Sequence, residues 1–320
     1  MPMSNYPNGI AGGMTIRELP IHVAYPGKVF WVYNGTALML GQRGGSDGNK
    51  GTFQSPFNTI AYAITQCVAN RGDMIMVKAG HTETVSDATT FAANVAGVAV
   101  IGLGSGSLRP TITFSTANTA TIPVSVDNFA FKNIVFKANF LSIAAPITVS
   151  TGKWLAVEDC RFEDNSSILN FLNIVKSTGA ANTADGLTFS NNVVKNLGVT
   201  SNNTTILTAN DIDSLTMKGN YLKWAVQNNT AIGIIVTAGV LTNLICTDNM
   251  GYRPNTTTAG GSLINVGGTT STGIVARNYV QTLTTTTDLL FTTTVGLAAF
   301  ENRVTGVVGA QGFPIPAVDS

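Results

Sequence analysis

Carboxylates are the groups through which this chain could do chemistry, and they gather in two places. Glu158, Asp159, Glu163 and Asp164 form the one dense acidic cluster, and Asp185, Asp211 and Asp213 form a looser set. Two carboxyl groups on one face suit hydrolysis of a glycosidic bond, one as acid and one as base or nucleophile. Acids that hold a divalent cation beside a basic residue suit elimination. Neither set is complete. The pattern below uses Asp159 at a corner and opposes Glu158 to Lys132, which leaves Glu163 and Asp164 as a solvated loop. His22 and His81 are the only histidines and lie too far apart for a metal triad. Asp47-Gly-Asn-Lys50 opens like a calcium loop, but Asn58 stands where its bidentate acid belongs. Gly102-Leu-Gly-Ser-Gly106 follows a strand without opening a helix, so it reads as a turn. No catalytic residue, cofactor or metal is assigned.

The elements that would position these acids repeat. An Asn or Asp followed by a short apolar pair recurs at Asn133, Asp159, Asn192, Asn220, Asn249, Asn278 and Asn302, in steps of 26, 33, 28, 29, 29 and 24 residues by subtraction. Such a period marks stacked supersecondary units. Five and three residues before the marked position stand Leu187 and Phe189, Leu215 and Met217, Leu244 and Cys246, and Leu297 and Ala299, with Gly273 and Val275 a weaker copy. Alternate strand positions share a face, so stacked turns bury an apolar column. The marked residues are expected to take left-handed backbone at a sharp corner and to form a ladder of amides through the stack. One residue earlier, Lys132 is expected over Glu158, and Asp248, Arg277 and Glu301 should form an alternating ion-pair ladder.

Composition agrees with a β solenoid. Charged residues make up only 11% of the chain and the net charge is +1, which gives no electrostatic reason to expect nucleic acid or an anionic membrane as partner. Cys67, Cys160 and Cys246 are scattered and read as small buried hydrophobes, as expected of folding in a reducing cytosol. The first residues lack the basic and apolar regions of a signal peptide. The longest apolar run, Ala231 to Val240, is too short to cross a bilayer.

Three regions follow. Residues 1–50 read as an extended arm for attachment, containing one strand-like run from Lys28 to Tyr33. Residues 51–310 read as the solenoid, opened by a capping helix over 55–70 with Ser55 as N-cap, Pro56 at its first position and an apolar stripe through Phe57, Ile60, Ile64 and Val68. The helix would cover the apolar end of the stack. Residues 311–320, with two prolines, form a tail.

Four segments, Ser46-Asp-Gly-Asn-Lys-Gly-Thr52, Ser55-Pro-Phe-Asn-Thr-Ile-Ala-Tyr-Ala63, Arg71-Gly-Asp-Met-Ile-Met-Val77 and Gly80-His-Thr-Glu-Thr84, resemble the opening of pectate-lyase-like β-helix proteins. That resemblance implies an all-β, right-handed parallel β-helix. The segments Ser4-Asn-Tyr-Pro-Asn-Gly9 and Pro26-Gly-Lys-Val-Phe30 are similar to short β-helix proteins of tailed bacteriophage particles, which serve as capsid decorations, head fibres or tailspikes. This second likeness implies a non-enzymatic virion protein that decorates or stabilises the capsid, assembled in the host cytoplasm, a homotrimer, with the major capsid protein or another virion component as partner. Its alternative is a short tailspike or fibre that binds host surface glycan, with or without degrading it. Trp154, Trp224, Phe140, Phe171, Tyr221, Tyr252 and Tyr279 are aromatics that would line a sugar groove, fill the core or lie between subunits.

Overall fold

The computed structural model describes residues 15–16, 19–20, 27–36, 41–198, 204–208, 210–223, 235–237, 239–253, 264–266, 270–282 and 296–305. His22, Trp224 and the expected tail over 311–320 lie outside them.

Within a full winding the chain lays down one strand in each of three parallel sheets, then rises to the next; the first windings lack a strand of sheet C. Among the described residues sheet A has ten strands, running from Val29–Val32 to Leu297–Phe300. Sheet B has nine, from Thr82–Val85 to Arg303–Thr305, and sheet C has six, from Ile122–Val124 to Ile264–Val266. Every pairing within these sheets joins a strand to its counterpart one winding away, which makes the fold a right-handed parallel β-helix.

Two residues turn the chain from sheet A into sheet B. The first takes left-handed backbone: Asn133, Asp159, Asn191, Gly219, Asp248, Arg277 and Glu301 all have φ between 53° and 67°. The second points inward: Ile134, Cys160, Asn192, Asn220, Asn249, Asn278 and Asn302 are all buried. The expected column of marked residues is therefore two columns. Asn133 and Asp159 occupy the left-handed position, and the five later asparagines occupy the inward one. An Asn or Asp suits either place, so side-chain type alone does not separate them.

The inward asparagines are joined from turn to turn. Asn220 Nδ2 donates to Asn249 Oδ1 at 2.8 Å, Asn249 Nδ2 to Asn278 Oδ1 at 2.9 Å, and Asn278 Nδ2 to Asn302 Oδ1 at 3.0 Å. Each Oδ1 also accepts the backbone N–H of the residue one winding earlier, beginning with Cys160 N to Asn192 Oδ1 at 2.8 Å. These bonds satisfy corner amides that no strand reaches, and a buried unpaired amide would cost about 1–3 kcal/mol. Bulky side chains such as Arg277 and Glu301 tolerate left-handed backbone because the next residue is held so firmly.

The interior is one continuous apolar column. In sheet A, Val100, Phe131, Val157, Phe189, Met217, Cys246, Val275 and Ala299 follow one another in register. In sheet B, Phe136 stacks on Phe162 with ring centroids 4.9 Å apart and planes 8° from parallel.

The lower end is closed differently from the expectation. The helix, α1, spans Ile60–Thr65 rather than 55–70, and its N-cap is Thr59, whose hydroxyl accepts Tyr62 N–H at 3.1 Å. Ser55 and Pro56 are drawn out of it because Phe57 pairs with the edge of Val29–Val32: its N–H reaches Trp31 O at 2.8 Å and its carbonyl accepts Tyr33 N–H at 2.9 Å. That edge strand, expected within the arm, is in register with Met74–Val77 and is the first strand of sheet A. Buried Asp73 ties it down by accepting Lys28 N–H at 2.7 Å and Val68 N–H at 2.8 Å. Burial alone would raise the Asp73 carboxyl, but the Arg71 guanidinium and these amides outweigh it and hold the group below the usual carboxylate range.

Candidate functional site

A second sharp corner precedes sheet A, and it builds the molecule's polar groove. Asn128, Trp154, Gly186, Ser214 and Asn243 take left-handed backbone there, with φ between 55° and 73°. Their N–H groups donate upward, Trp154 to Asp185 O at 2.7 Å, Gly186 to Asp213 O at 2.8 Å and Ser214 to Thr242 O at 2.8 Å. The residues just before the corner, Lys153, Asp185, Asp213 and Thr242, are thereby stacked.

Their side chains meet. Lys153 Nζ lies 3.0 Å from Asp185 Oδ2, and Asp185 Oδ1 accepts Asp213 N–H at 2.9 Å. Asp213 accepts Thr242 Oγ1 at 2.5 Å, Asn243 Nδ2 at 2.8 Å and Ser214 Oγ at 2.8 Å. These three donors, Thr242 foremost, hold the Asp213 carboxyl below the usual range. Asp211 stands alongside, its Oδ1 accepting Val240 N–H at 2.7 Å. With Asn182 and Val240 they line an open groove of about 560 Å³.

Trp154 follows Lys153, one of the residues that line this groove. Its side chain is 56% exposed although its backbone is left-handed, a costly conformation for a bulky residue. The ring covers Gly186, the residue after Asp185: a Cβ there would lie 2.1 Å from Trp154 Cε3. Glycine at 186 is what leaves room for the indole against the backbone next to Asp185.

The structure thus brings together Asp185, Asp211 and Asp213 and adds the basic Lys153, which sequence reasoning missed. A signal was available: the steps from 153 to 185, 213 and 242 are 32, 28 and 29 residues, the same as those from Cys160 through Asn192, Asn220 and Asn249. Trp in place of Asn hid the corner.

The dense acidic cluster is dispersed. Glu158 and Asp159 both face Lys132, at 3.3 and 3.4 Å. Glu163 and Asp164, expected on a loop, form the end of strand Arg161–Asp164 in sheet B. Glu163 stands in register between Lys137 and Lys195. Asp164 points into the coil, where it accepts Phe171 N–H at 3.0 Å and Leu197 N–H at 2.8 Å. Burial pushes its carboxyl up to about 7, against the pull of those amides.

Asp248 accepts both Nε (2.7 Å) and Nη2 (3.0 Å) of Arg277, and Glu301 follows in the same column. His81 is fully buried: its Nδ1 accepts Asn34 N–H, so Nε2 donates to Glu83, whose carboxylate caps α1 at Ile60. Asp47 accepts the N–H groups of Asn58 and Thr59. Among the described residues no group of three His, Cys, Asp or Glu side chains is arranged to hold a metal, and no helix is long and apolar enough to cross a membrane.

No family model matches the chain, and no curated protein does. Among solved structures it is similar to a rhamnogalacturonan lyase, with a TM-score of 0.52 and 13% identity over 88% of this chain and 74% of that one. It is also similar to the pectate lyase Pel9A, with a TM-score of 0.44 and 11% identity over 89% of this chain and 81% of that one. At this identity the first likeness shows a shared β-helix fold.

Proposed function

We propose that this chain is a non-enzymatic, saccharide-binding β-helix carried on the outside of a bacteriophage particle. The observation that supports it most is the exposed indole of Trp154, fixed against Gly186 beside Lys153, Asp185 and Asp213. A sugar ring has an apolar face and a rim of hydroxyls. An aromatic plane takes the first, and carboxylates, amides and an ammonium take the second. The rhamnogalacturonan lyase that shares the fold is named for a polysaccharide, which agrees with this ligand class.

The engagement of the acids supports binding without cleavage. A general base needs a free lone pair and an affinity for protons near the working pH. Asp213 is poorly suited to that role, since it already accepts three donors, Thr242 and Asn243 on Oδ1 and Ser214 on Oδ2, which hold its affinity for protons below the usual range. Asp185 and Asp211 carry backbone amides of the next winding.

The test is a glycan array and calorimetry with the purified protein, alongside a depolymerisation assay. Saturable binding that Trp154→Ala abolishes, with no product, is expected. Wild-type binding unaffected by that substitution would overturn the site, and release of oligosaccharides would overturn the absence of catalysis.

A second reading is capsid decoration without a ligand, in which the protein bridges capsid subunits and stabilises the shell by binding only its assembled state. The N-terminal resemblance and the carboxylates engaged in holding turns together support it. Many copies on an icosahedral shell in a particle reconstruction would favour decoration, and a few copies at the tail would favour saccharide recognition.

A further inference from the structure

The lower edge of sheet B is covered at one point by a single side chain. Strand Thr82–Val85 is the last of that sheet. Thr111 N–H reaches His81 O at 2.9 Å and Ser115 N–H reaches Val85 O at 3.1 Å, so the alternate residues, Thr82 and Thr84, turn their main-chain groups to the open side. Asn34 covers Thr82 as a strand would. Its Oδ1 accepts Thr82 N–H at 3.2 Å, and its Nδ2 donates to Thr82 O and Oγ1. Among the described residues no main-chain group pairs with Thr84 on that side. The lower edge of sheet A, by contrast, is paired with residues 51–57.

His81 holds Asn34 in place. Its imidazole is fully buried, accepts Asn34 N–H at Nδ1 (3.2 Å) and meets Glu83 Oε2 at Nε2 (3.2 Å). An imidazolium carries a proton on both nitrogens, and the two sides of the ring answer a second proton in opposite ways. At Nε2 the Glu83 carboxylate offsets the buried positive charge, so proton uptake is supported there. At Nδ1 the new N–H points at the main-chain N–H it had accepted, and that bond is lost. No other charged or titratable group nearby takes the bond over. The Lys78 ammonium is turned to Phe53 O, the Phe53 ring and the Tyr33 ring, Asp47 is held by Asn58 and Thr59 N–H below α1, and Arg109 donates to Asp159 O.

We propose that His81 is an acid-operated clasp on the lower edge of sheet B: neutral, it holds Asn34 over Thr82; protonated, it expels the Asn34 N–H and uncovers that edge. The closed form is favoured with the ring neutral, the open form binds the extra proton more tightly, and the clasp therefore opens as pH falls. Strand Val29–Val32 keeps its ladder with Met74–Val77 and its tie to Asp73, so opening is confined to Asn34 and the chain that follows it. A main-chain edge uncovered in this way is one onto which an extended strand adds. The clasp lies in the first windings, below the groove, and does not rest on the saccharide reading.

Hydrogen exchange on the full chain tests it, in a His22→Gln background that leaves His81 as the sole histidine. After correction for intrinsic rates, protection at the N–H groups of Asn34 and Thr82 should fall by about tenfold or more between pH 7.5 and 5, while Met74–Val77 stays protected. In His81→Gln, whose amide both accepts and donates but does not titrate, the fall should be absent. Glu83→Gln removes the compensating charge and should move the opening to lower pH. Unchanged protection in the parent chain, or an equal fall in His81→Gln, would overturn the clasp. The ring's own nuclear magnetic resonance titration gives an arm that needs no variant at 81: opening and Nδ1 protonation should share one midpoint, and separate midpoints would contradict the assignment.

Discussion

The early and late windings solve the same stacking problem by different means. Between residues 99 and 190 the coil is filled with rings: Phe114, Phe131, Phe136, Phe162, Phe171 and Phe189 pack face to face and edge to face. From Asn192 onward the interior thins, through Met217, Cys246 and Val275 to Ala299 in sheet A and through Leu222 and Gly251 to Val280 in sheet B. The corner asparagines run through those same windings. Where less apolar volume holds successive turns together, buried amide bonds do so, and unlike packing they demand one register.

Truncation should separate the two regions. Phe162→Ala removes a ring stacked between neighbours and should destabilise by about 4 kcal/mol, read as a lower denaturant midpoint. Asn220→Ala removes the acceptor for Asn192 N–H and the donor to Phe189 O and Asn249, at a cost of about 3 kcal/mol. The equivalent truncation in an early winding, Cys160→Ala, should cost much less, because its thiol makes only long or weak contacts. Equal losses at 160 and 220 would break the comparison.

The boundary between the regions answers to pH. Going up the interior column of sheet B, Phe114 and Ala138 are followed by Asp164, and Asn196 comes next. Because burial raises the Asp164 carboxyl to about 7, the folded chain holds this proton more tightly than the unfolded chain does. The stability that Asp164 contributes is then greatest below about pH 4, falls as pH rises toward 7, and is flat beyond. Urea midpoints across that range should fall for the wild type and stay level for Asp164→Asn, whatever the variant's absolute stability. A wild-type midpoint that rises from pH 4 to 7, with the same slope in the variant, would show that the amides of Phe171 and Leu197 outweigh burial.

How much was legible in the chain follows from the same physics. The period shows directly, because each winding must place its apolar residues over those below. The column offset did not show, because Asn133 and Asn192 are the same residue type doing different work, one turning the backbone and the other bonding inside. The start of α1 was hidden because Ser55 and Pro56 carry strong helix-start chemistry that a tertiary pairing of Phe57 overrides. The groove was hidden for a third reason. Lys153, Asp185 and Asp213 differ in charge, so no search for like residues aligns them, and Trp154 replaces the Asn or Gly that would have marked their corner.

The account rests on one register, in which the corner amides of the late windings bond to the asparagine above. Native-state hydrogen exchange reads those amides individually. Protection at the backbone N–H of Asn192, Asn220, Asn249 and Asn278 equal to that of the central strands is the expected result, since only an Oδ1 from the next winding accepts them. Exchange at these four positions as fast as in exposed turns would contradict it.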